Sequence, residues 1–238
     1  RPLATTNKAL LHTVGKTYVS VLSWLSGHPI GEGTKITGDA LQLAHKVGQE
    51  MARLHDLTDA WQPPVTFTRP DWTLDALVGD TPLWGRFWEH PDLSSETVDL
   101  FQVARDAARY DIGLLTADTG LIHADLLAEN LLVDGDHLGM LDFDDSAIGY
   151  RAFELATFLL RYVERADFPD LCAALVDGYA TRRRVEAEEL DLALLLRALS
   201  YVGWIIPRRS EPGGDIRSKR MIARATHLAQ TYLNRRPS

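Results

Sequence analysis

Residues 121–149 read LIHADLLAENLLVDGDHLGMLDFDDSAIG, and within this stretch the chain changes from helical to extended periodicity. Two short apolar runs, NLLV and GMLDF, flank Asp134-Gly135-Asp136, which predicts a tight hairpin. A carboxylate-bearing loop adjoins each run: His123-x-Asp125-x-x-x-x-Asn130 on one side and Asp142-Phe143-Asp144-Asp145 on the other. An Asp five residues before an Asn, followed after a hairpin by another Asp, meets the demands of phosphoryl transfer from ATP. One carboxylate must orient the attacking hydroxyl, while an amide oxygen and a second carboxylate hold Mg²⁺ against the phosphates. Asn130 and Asp142 offer the hard oxygen donors that Mg²⁺ prefers. A free hydroxyl is too weak an acid for Asp125 to deprotonate beforehand, so its part is orientation and late proton acceptance.

Beyond Tyr150 the apolar spacing returns to that of helices, predicted over 151–165, 169–183, 186–206 and 216–234, with Pro169 in a favourable first turn. Arg182-Arg183-Arg184 falls where one of these ends and reads as a solvated face complementing the helix dipole. Upstream, Ser94 or Ser95 caps a helix reaching about Ala117, with Leu100, Ala104, Ala107 and Leu114 on one face. Asp39, with Gln42 three residues on, starts another that runs to about His55. The segment 58–92 is rich in Trp and Pro and holds short helices only, because each proline removes a donor and restricts its predecessor. Its tryptophans pack an irregular insert or, in the alternative, one or two of them line a pocket. Residues 26–38 read as a Gly- and Pro-rich loop, and residues 9–25 as a β-hairpin about Gly15-Lys16.

The 238 residues, 45% hydrophobic and 24% charged, are enough for one large domain or one domain with a partial second lobe. A net charge of −8 argues against nucleic acid or an anionic membrane as partner, and fits a cationic small substrate better. The sequence shows no apolar run of about 18 residues and no leader pattern, so a cytoplasmic protein is expected. Cys172, the single cysteine, lies in the apolar run LCAALV and reads as a buried structural thiol. Because the chain opens on Arg1 rather than Met, it is expected to be part of something longer.

With HADLLAEN (123–130) and LDFDDSAIGYRAFELA (141–156), the chain resembles the aminoglycoside phosphotransferase and choline kinase superfamily, in its homoserine-kinase-like branch. TYVSVLSWLSG (17–27), GYATRRR and RALSYVGWIIPRR extend the likeness over essentially the whole length. The resemblance implies an α+β, protein-kinase-like fold with an incomplete β-rich N-terminal lobe and hinge over 1–27. A mostly helical C-terminal lobe over 28–238 would carry the catalytic loop and metal site. It implies Asp125 as catalytic base, His123 as a brace of its loop, Asn130 and Asp142 as Mg²⁺ ligands, and adenine contacts through the backbone of Ser23 and Leu25, with Trp24 packing on or covering the ring. Glu154 stands where the family usually has Asp and is read as structural. The small-lobe lysine that would reach the phosphates has no counterpart here, since Lys8 and Lys16 stand in edge and turn positions.

The acceptor would present a hydroxyl to Asp125 in a pocket drawing on Asp145, Tyr201, Trp204 and Trp72 or Trp84. Aromatic faces beside a carboxylate suit an amine-bearing alcohol, a hydroxylated amino acid or an aminoglycoside. Competing readings are a catalytically incomplete binding or regulatory module and a protein Ser/Thr kinase. A haloacid-dehalogenase-like phosphatase also matches MLDFDDS, but its fold needs that motif on the first strand of an alternating βα sheet. Because an isolated hairpin is marginal in water, Leu10, Val14, Val19, Val21 and Leu22 are expected to find a cover, with a dimer through the hairpin edge as one form of it.

Overall fold

The computed structural model describes residues 2–114 and 118–236. Its first part is a run of very short strands: β1 (Pro2–Leu3), β2 (His12–Val14), β3 (Thr17–Val19) and β4 (Val21–Leu22). The turn at Gly15-Lys16 joins β2 to β3, as the branched and aromatic residues on either side predict, and β4 folds back against β1. The hairpin is narrower than 9–25, and its apolar side chains Leu10, Val14, Val19, Val21 and Leu22 remain 43–65% exposed.

Residues 26–38, expected as loop, hold three two-residue strands: β5 (His28–Pro29), β6 (Gly31–Glu32) and β7 (Lys35–Ile36). Pro29 is admissible because β5 is an edge strand. The chain then enters α1 (Ala40–Ala60), where Leu41 and Gln42 N–H donate to Asp39 Oδ1 at 3.1 and 3.0 Å. α1 runs five residues past His55 and stops short of Pro63-Pro64. The Trp-rich insert contains β8 (Asp71–Trp72), α2 (Leu74–Val78) and a 3₁₀ turn at Phe87–Glu89. Ser94 Oγ caps α3 (Ser95–Leu114) by accepting from Thr97 N–H at 3.3 Å, while the expected end at Ala117 lies outside the described residues.

Next come β9 (Thr119–Ile122), β10 (Leu131–Asp134), β11 (His137–Met140) and β12 (Ala147–Tyr150). They belong to two three-stranded sheets, in the orders β11-β10-β5 and β8-β12-β9. Residues 123–130 cross from the second sheet to the first, and residues 141–146 cross back. The helices that follow are α4 (Arg151–Leu159), α5 (Phe168–Ala180), α6 (Ala187–Ile205) and α7 (Gly214–Arg235). α4 is shorter than 151–165, giving way to 3₁₀ turns at Leu160–Tyr162.

The core is continuous across these layers. α5 packs on α1, α1 on β9 and α4, α4 on α6, α6 on α7 and α7 on α3. The α1–α5 crossing is close enough that a Cβ on Gly48 would stand 2.1 Å from Leu175 O, and one on Gly178 1.9 Å from His45 O. Two corrections concern the helices. The stretch Ala187–Arg208 is, by length and composition, apolar enough to span a membrane, contrary to the sequence reading, but 72% of its most apolar window is buried inside the structure. Arg183 is no solvated residue: it pairs with Asp56, Asp59 and Asp118 at 2.8–3.1 Å, fastening the ends of α1 and α5 to the start of β9. Cys172 is half-buried, with burial pushing its thiol up.

Candidate active site

The loop carrying Asp125 is held from beneath by one buried side chain. Glu154, on α4, accepts from His123 N–H at 2.7 Å through Oε2 and from Ala124 N–H at 2.9 Å through Oε1. His55 Nε2 donates to the same Oε2 at 3.3 Å, and Tyr179 O–H donates to His55 Nδ1 at 2.9 Å, so one neutral tautomer satisfies both. Burial holds His55 below its ordinary pKa. Burial alone would push Glu154 up, but the His55 bond, with the N–H of His123, brings its carboxyl below the usual range. This clamp holds Ala124 at φ +70°, a left-handed conformation that costs a residue with a Cβ about 1–3 kcal/mol.

His123, fully buried, donates from Nε2 to Leu141 O at 2.7 Å and accepts Asp125 N–H on Nδ1 at 3.4 Å. Its ring lies 4.4 Å from that of Phe143, so it ties together the two loops that cross between the sheets. Leu141 N–H to Asn130 O, at 2.9 Å, is a second tie.

Asn130 Nδ2 donates to Asp125 O at 2.9 Å, which orients the amide and leaves Oδ1 as its uncommitted end. Asp142 has φ +63°, and its exposed carboxylate makes no hydrogen bond or ion pair among the described residues. No group of three or more His, Cys, Asp or Glu among the described residues forms a metal cage. Two oxygen donors without a cage suit Mg²⁺ shared with phosphates and water, and would not hold a tightly bound resident ion.

Asp125 faces a cavity of about 540 Å³ that α6 and α7 enclose from the far side. Asp145, Tyr201, Trp204, Trp72 and Trp84 all line it, whereas Asn130, Asp142, Ser23 and Leu25 do not. The structure thus separates the predicted acceptor residues from the predicted metal and hinge residues, with Asp125 between the two groups. Trp84 is placed by backbone packing: a Cβ on Gly203 of α6 would stand 2.6 Å from Trp84 O and Gly85 O. In the segment expected to form the hinge, Ser23 is half-buried, Leu25 is partly exposed beside Gly139 of β11, and Trp24 is 94% exposed. Lys8 stands in a bend and Lys16 in a turn.

The residue that sequence reasoning missed is Arg197. Its guanidinium is 5% exposed and donates from Nη2 to Asp125 Oδ1 at 3.2 Å and to Tyr201 Oη at 2.9 Å. It also lies 4.3 Å above the Tyr201 ring, while Arg208 lies 4.3 Å above Trp204. Faces expected to receive a substrate amine therefore carry the chain's own cations. The signal was in the sequence: Arg197 is the one charged residue in the run LALLLRALSYVGWII (192–206), and a lone charge in a buried helix needs a partner.

Burial raises the Asp125 carboxyl above its ordinary range; Arg197 pulls it down, and Asp145 adds a smaller upward push. Arg197→Met is therefore expected to move the acid limb of the kcat–pH profile to higher pH by about one unit or more, with Arg197→Lys restoring part of the shift. An acid limb that stays in place would show that Arg197 only packs.

Two loops that cross between small sheets, each bearing carboxylates and set against a helical lobe, are the layout of a kinase-like fold. The chain belongs to the APH phosphotransferase enzyme family, whose model matches residues 1–189. It is similar to the homoserine kinase of Sinorhizobium fredii, with 26% identity over 211 residues, 87% of this chain and 61% of that enzyme. It thus spans about three-fifths of the length of that relative. Among solved structures, the microcompartment-associated aminopropanol kinase superposes with a TM-score of 0.82 at 24% identity, over 98% of this chain and 75% of that one. The amicoumacin kinase hAmiN, solved with AMP-PNP, Ca²⁺ and Ami, gives 0.71 at 15% identity, over 95% and 71%. These likenesses bear out the α+β, kinase-like fold and the homoserine-kinase-like branch.

Proposed function

We propose that the protein transfers the γ-phosphoryl group of ATP to the hydroxyl of a small metabolite. The observation that carries this reading is the placement of Asp125: in the wall of the cavity, with a raised pKa, its backbone carbonyl bonded to Asn130. In the reaction the acceptor oxygen attacks the γ-phosphorus as the bond to the β-phosphate oxygen breaks, and ADP leaves. Asp125 orients the hydroxyl and takes its proton late. Asn130 Oδ1 and Asp142 would hold Mg²⁺, which supplies neutralisation of charge on the phosphates. Ser23 and Leu25 would meet the adenine through their backbone. An acceptor amine would meet Asp145, which makes no ion pair among the described residues.

The test is ADP release dependent on added small alcohols, read in a coupled assay. Turnover only in the presence of an alcohol supports the reading, whereas its absence across alcohols that the protein binds would favour a binding or regulatory module. Asp142→Ala is expected to keep the fold, because its carboxylate holds no other group, and to abolish ATP-dependent Mn²⁺ binding followed by electron paramagnetic resonance. Wild-type binding of Mn²⁺ without nucleotide should be weak, since two protein donors leave most positions to water. Tight binding by the free protein would overturn the metal assignment.

A further inference from the structure

One part of the cavity wall comes from neither the catalytic loops nor the C-terminal helices. Gly33 and Thr34, at the tip of the β6–β7 hairpin, line it together with Asp125 and Arg161. The base of this hairpin is fixed by backbone bonds. Ile30, wholly buried, donates its N–H to Leu131 O at 2.9 Å, and Thr37 N–H donates to Ile30 O at 2.8 Å. Within the ladder, a Cβ on Gly31 would stand 2.1 Å from Lys35 O. The tip is different: it turns through Gly33 at φ +61° and exposes Thr34. A hairpin with a two-residue ladder on each side has too little burial of its own to hold its tip in one place.

Two side chains from distant segments do so instead. Gly33 N–H donates to Glu129 Oε1 at 3.1 Å, across 96 residues of chain, and Arg165 Nη1 donates to Thr34 O at 3.4 Å. Arg165 is held in its turn by a two-point pair with Asp167, at 2.8 and 2.7 Å. Glu129 lies in the 3₁₀ turn Ala128–Asn130, beside the residue assigned to the metal and four residues from Asp125. Its carboxylate is turned inward: Oε2 is buried without a hydrogen-bond partner, as is Tyr162 Oη. Burial first, and the Glu129 charge second, push the Tyr162 phenol up to about 12. With no surface on Oε2, and Oε1 bonded to Gly33, this carboxylate serves the hairpin and not a ligand.

Resting on the phosphotransferase reading, we infer that the β6–β7 tip is a wall of the acceptor site and that Glu129 is the positioning residue that docks it. The short segment that carries Asp125 and Asn130 thereby also sets where Thr34 stands. A tip released from Glu129 leaves the reacting groups in place but widens the site around the acceptor, which weakens acceptor binding more than it affects ATP.

The experiment follows the tip and the reaction separately. Glu129→Ala removes the acceptor for Gly33 N–H, whereas Glu129→Gln keeps one, since the amide oxygen can take the same bond. Residue-resolved amide exchange should show Gly33 about 10-fold faster in Glu129→Ala and within about 3-fold of wild type in Glu129→Gln, with the amides of α4 and α6 unchanged in both. With homoserine and 3-amino-1-propanol as acceptor probes, Glu129→Ala should raise the acceptor KM about 10-fold and leave the KM for ATP within about 3-fold, and Glu129→Gln should restore it. Thr34→Trp, at an exposed turn position, tests the wall without touching its fastening. Its large side chain should raise the acceptor KM at least about 10-fold, with Gly33 exchange and the KM for ATP unchanged.

Gly33 exchange unmoved in Glu129→Ala would overturn the docking. Faster Gly33 exchange, with an acceptor KM unmoved in both Glu129→Ala and Thr34→Trp, would make the docking a matter of stability alone and overturn its place in the acceptor site. So would a rise in the KM for ATP alone. Should exchange quicken throughout α4 and α6 in Glu129→Ala, the protein has loosened as a whole, and an acceptor KM unmoved in Thr34→Trp would overturn the wall. Gly33 exchange that responds as expected in a protein that turns over neither alcohol would uphold the docking and sink the phosphotransferase reading.

Discussion

Replacing Asp125 by Asn is expected to lower kcat by about 10²–10⁴-fold, the range over which a positioned proton acceptor contributes. The amide keeps the shape of the carboxylate but cannot take up the proton of the attacking hydroxyl. Fold and affinity for ATP should survive, because the loop is braced through the N–H groups of His123 and Ala124 and not through the Asp125 side chain. A raised pKa means that the fold disfavours the ionised form relative to the unfolded chain. At neutral pH a neutral isostere should therefore leave Tm unchanged or raise it slightly. The wild-type kcat should fall as pH drops through this raised pKa, and the residual activity of Asp125→Asn should lack that limb. Unchanged turnover would remove Asp125 from the reaction, while a melted variant would make it a structural residue.

What the sequence disclosed about this site was local. HADLLAEN and LDFDDS each lie within eight residues, and the hairpin between them has a turn that Gly135 accepts at φ +55°. Reading along the chain was therefore enough to bring the two loops together. Long amphipathic helices were legible for the same reason, since their periodicity is written within one segment.

What stayed hidden depends on contacts between distant segments. Trp72 reaches the cavity because Asp71–Trp72 pairs in parallel with Ile148–Gly149, a two-residue ladder with no periodicity to read. Pro29 pairs with Leu132 in a strand equally short. Arg183 looked like surface charge because Asp56, Asp59 and Asp118 come from other elements. The acceptor chemistry was read from aromatic residues and Asp145. Arg197 over Tyr201 and Arg208 over Trp204 stand four residues from their aromatics and were open to a local reading, whereas the pairing of Arg197 with Asp125, 72 residues away, was not.

Glu154→Ala is expected to destabilise the protein by about 3–5 kcal/mol, the cost of breaking a buried charged network by removing one partner. It leaves the N–H groups of His123 and Ala124 and the Nε2–H of His55 without an acceptor, in a region closed to water. Glu154→Gln should cost less, about 1–3 kcal/mol, because its single carbonyl oxygen can serve one side of the clamp while its NH₂ opposes the other donor. The effect should also reach the reaction, since Ala124 is kept at φ +70° only while its N–H is held. At a temperature where Glu154→Gln is fully folded, its kcat should therefore fall while the KM for ATP stays near wild type. The linkage signs make the assignment testable by pH. Glu154 has a lowered pKa, so its contribution is complete above its unfolded value of about 4.3 and is lost as pH falls through the folded one. His55, buried neutral with a lowered pKa, begins to cost stability as pH falls below about 6.5, where the unfolded chain takes up a proton that the fold resists. Chemical denaturation across pH 3–8 should show wild-type stability declining in both windows. Glu154→Gln should lessen the lower slope, to which Asp56, Asp80, Glu96 and Asp167 also contribute, and His55→Asn the upper one, to which buried His90 also contributes. A lower slope in Glu154→Gln as steep as that of wild type would mean that Glu154 contributes nothing to it and that its carboxyl is not held ionised by the clamp.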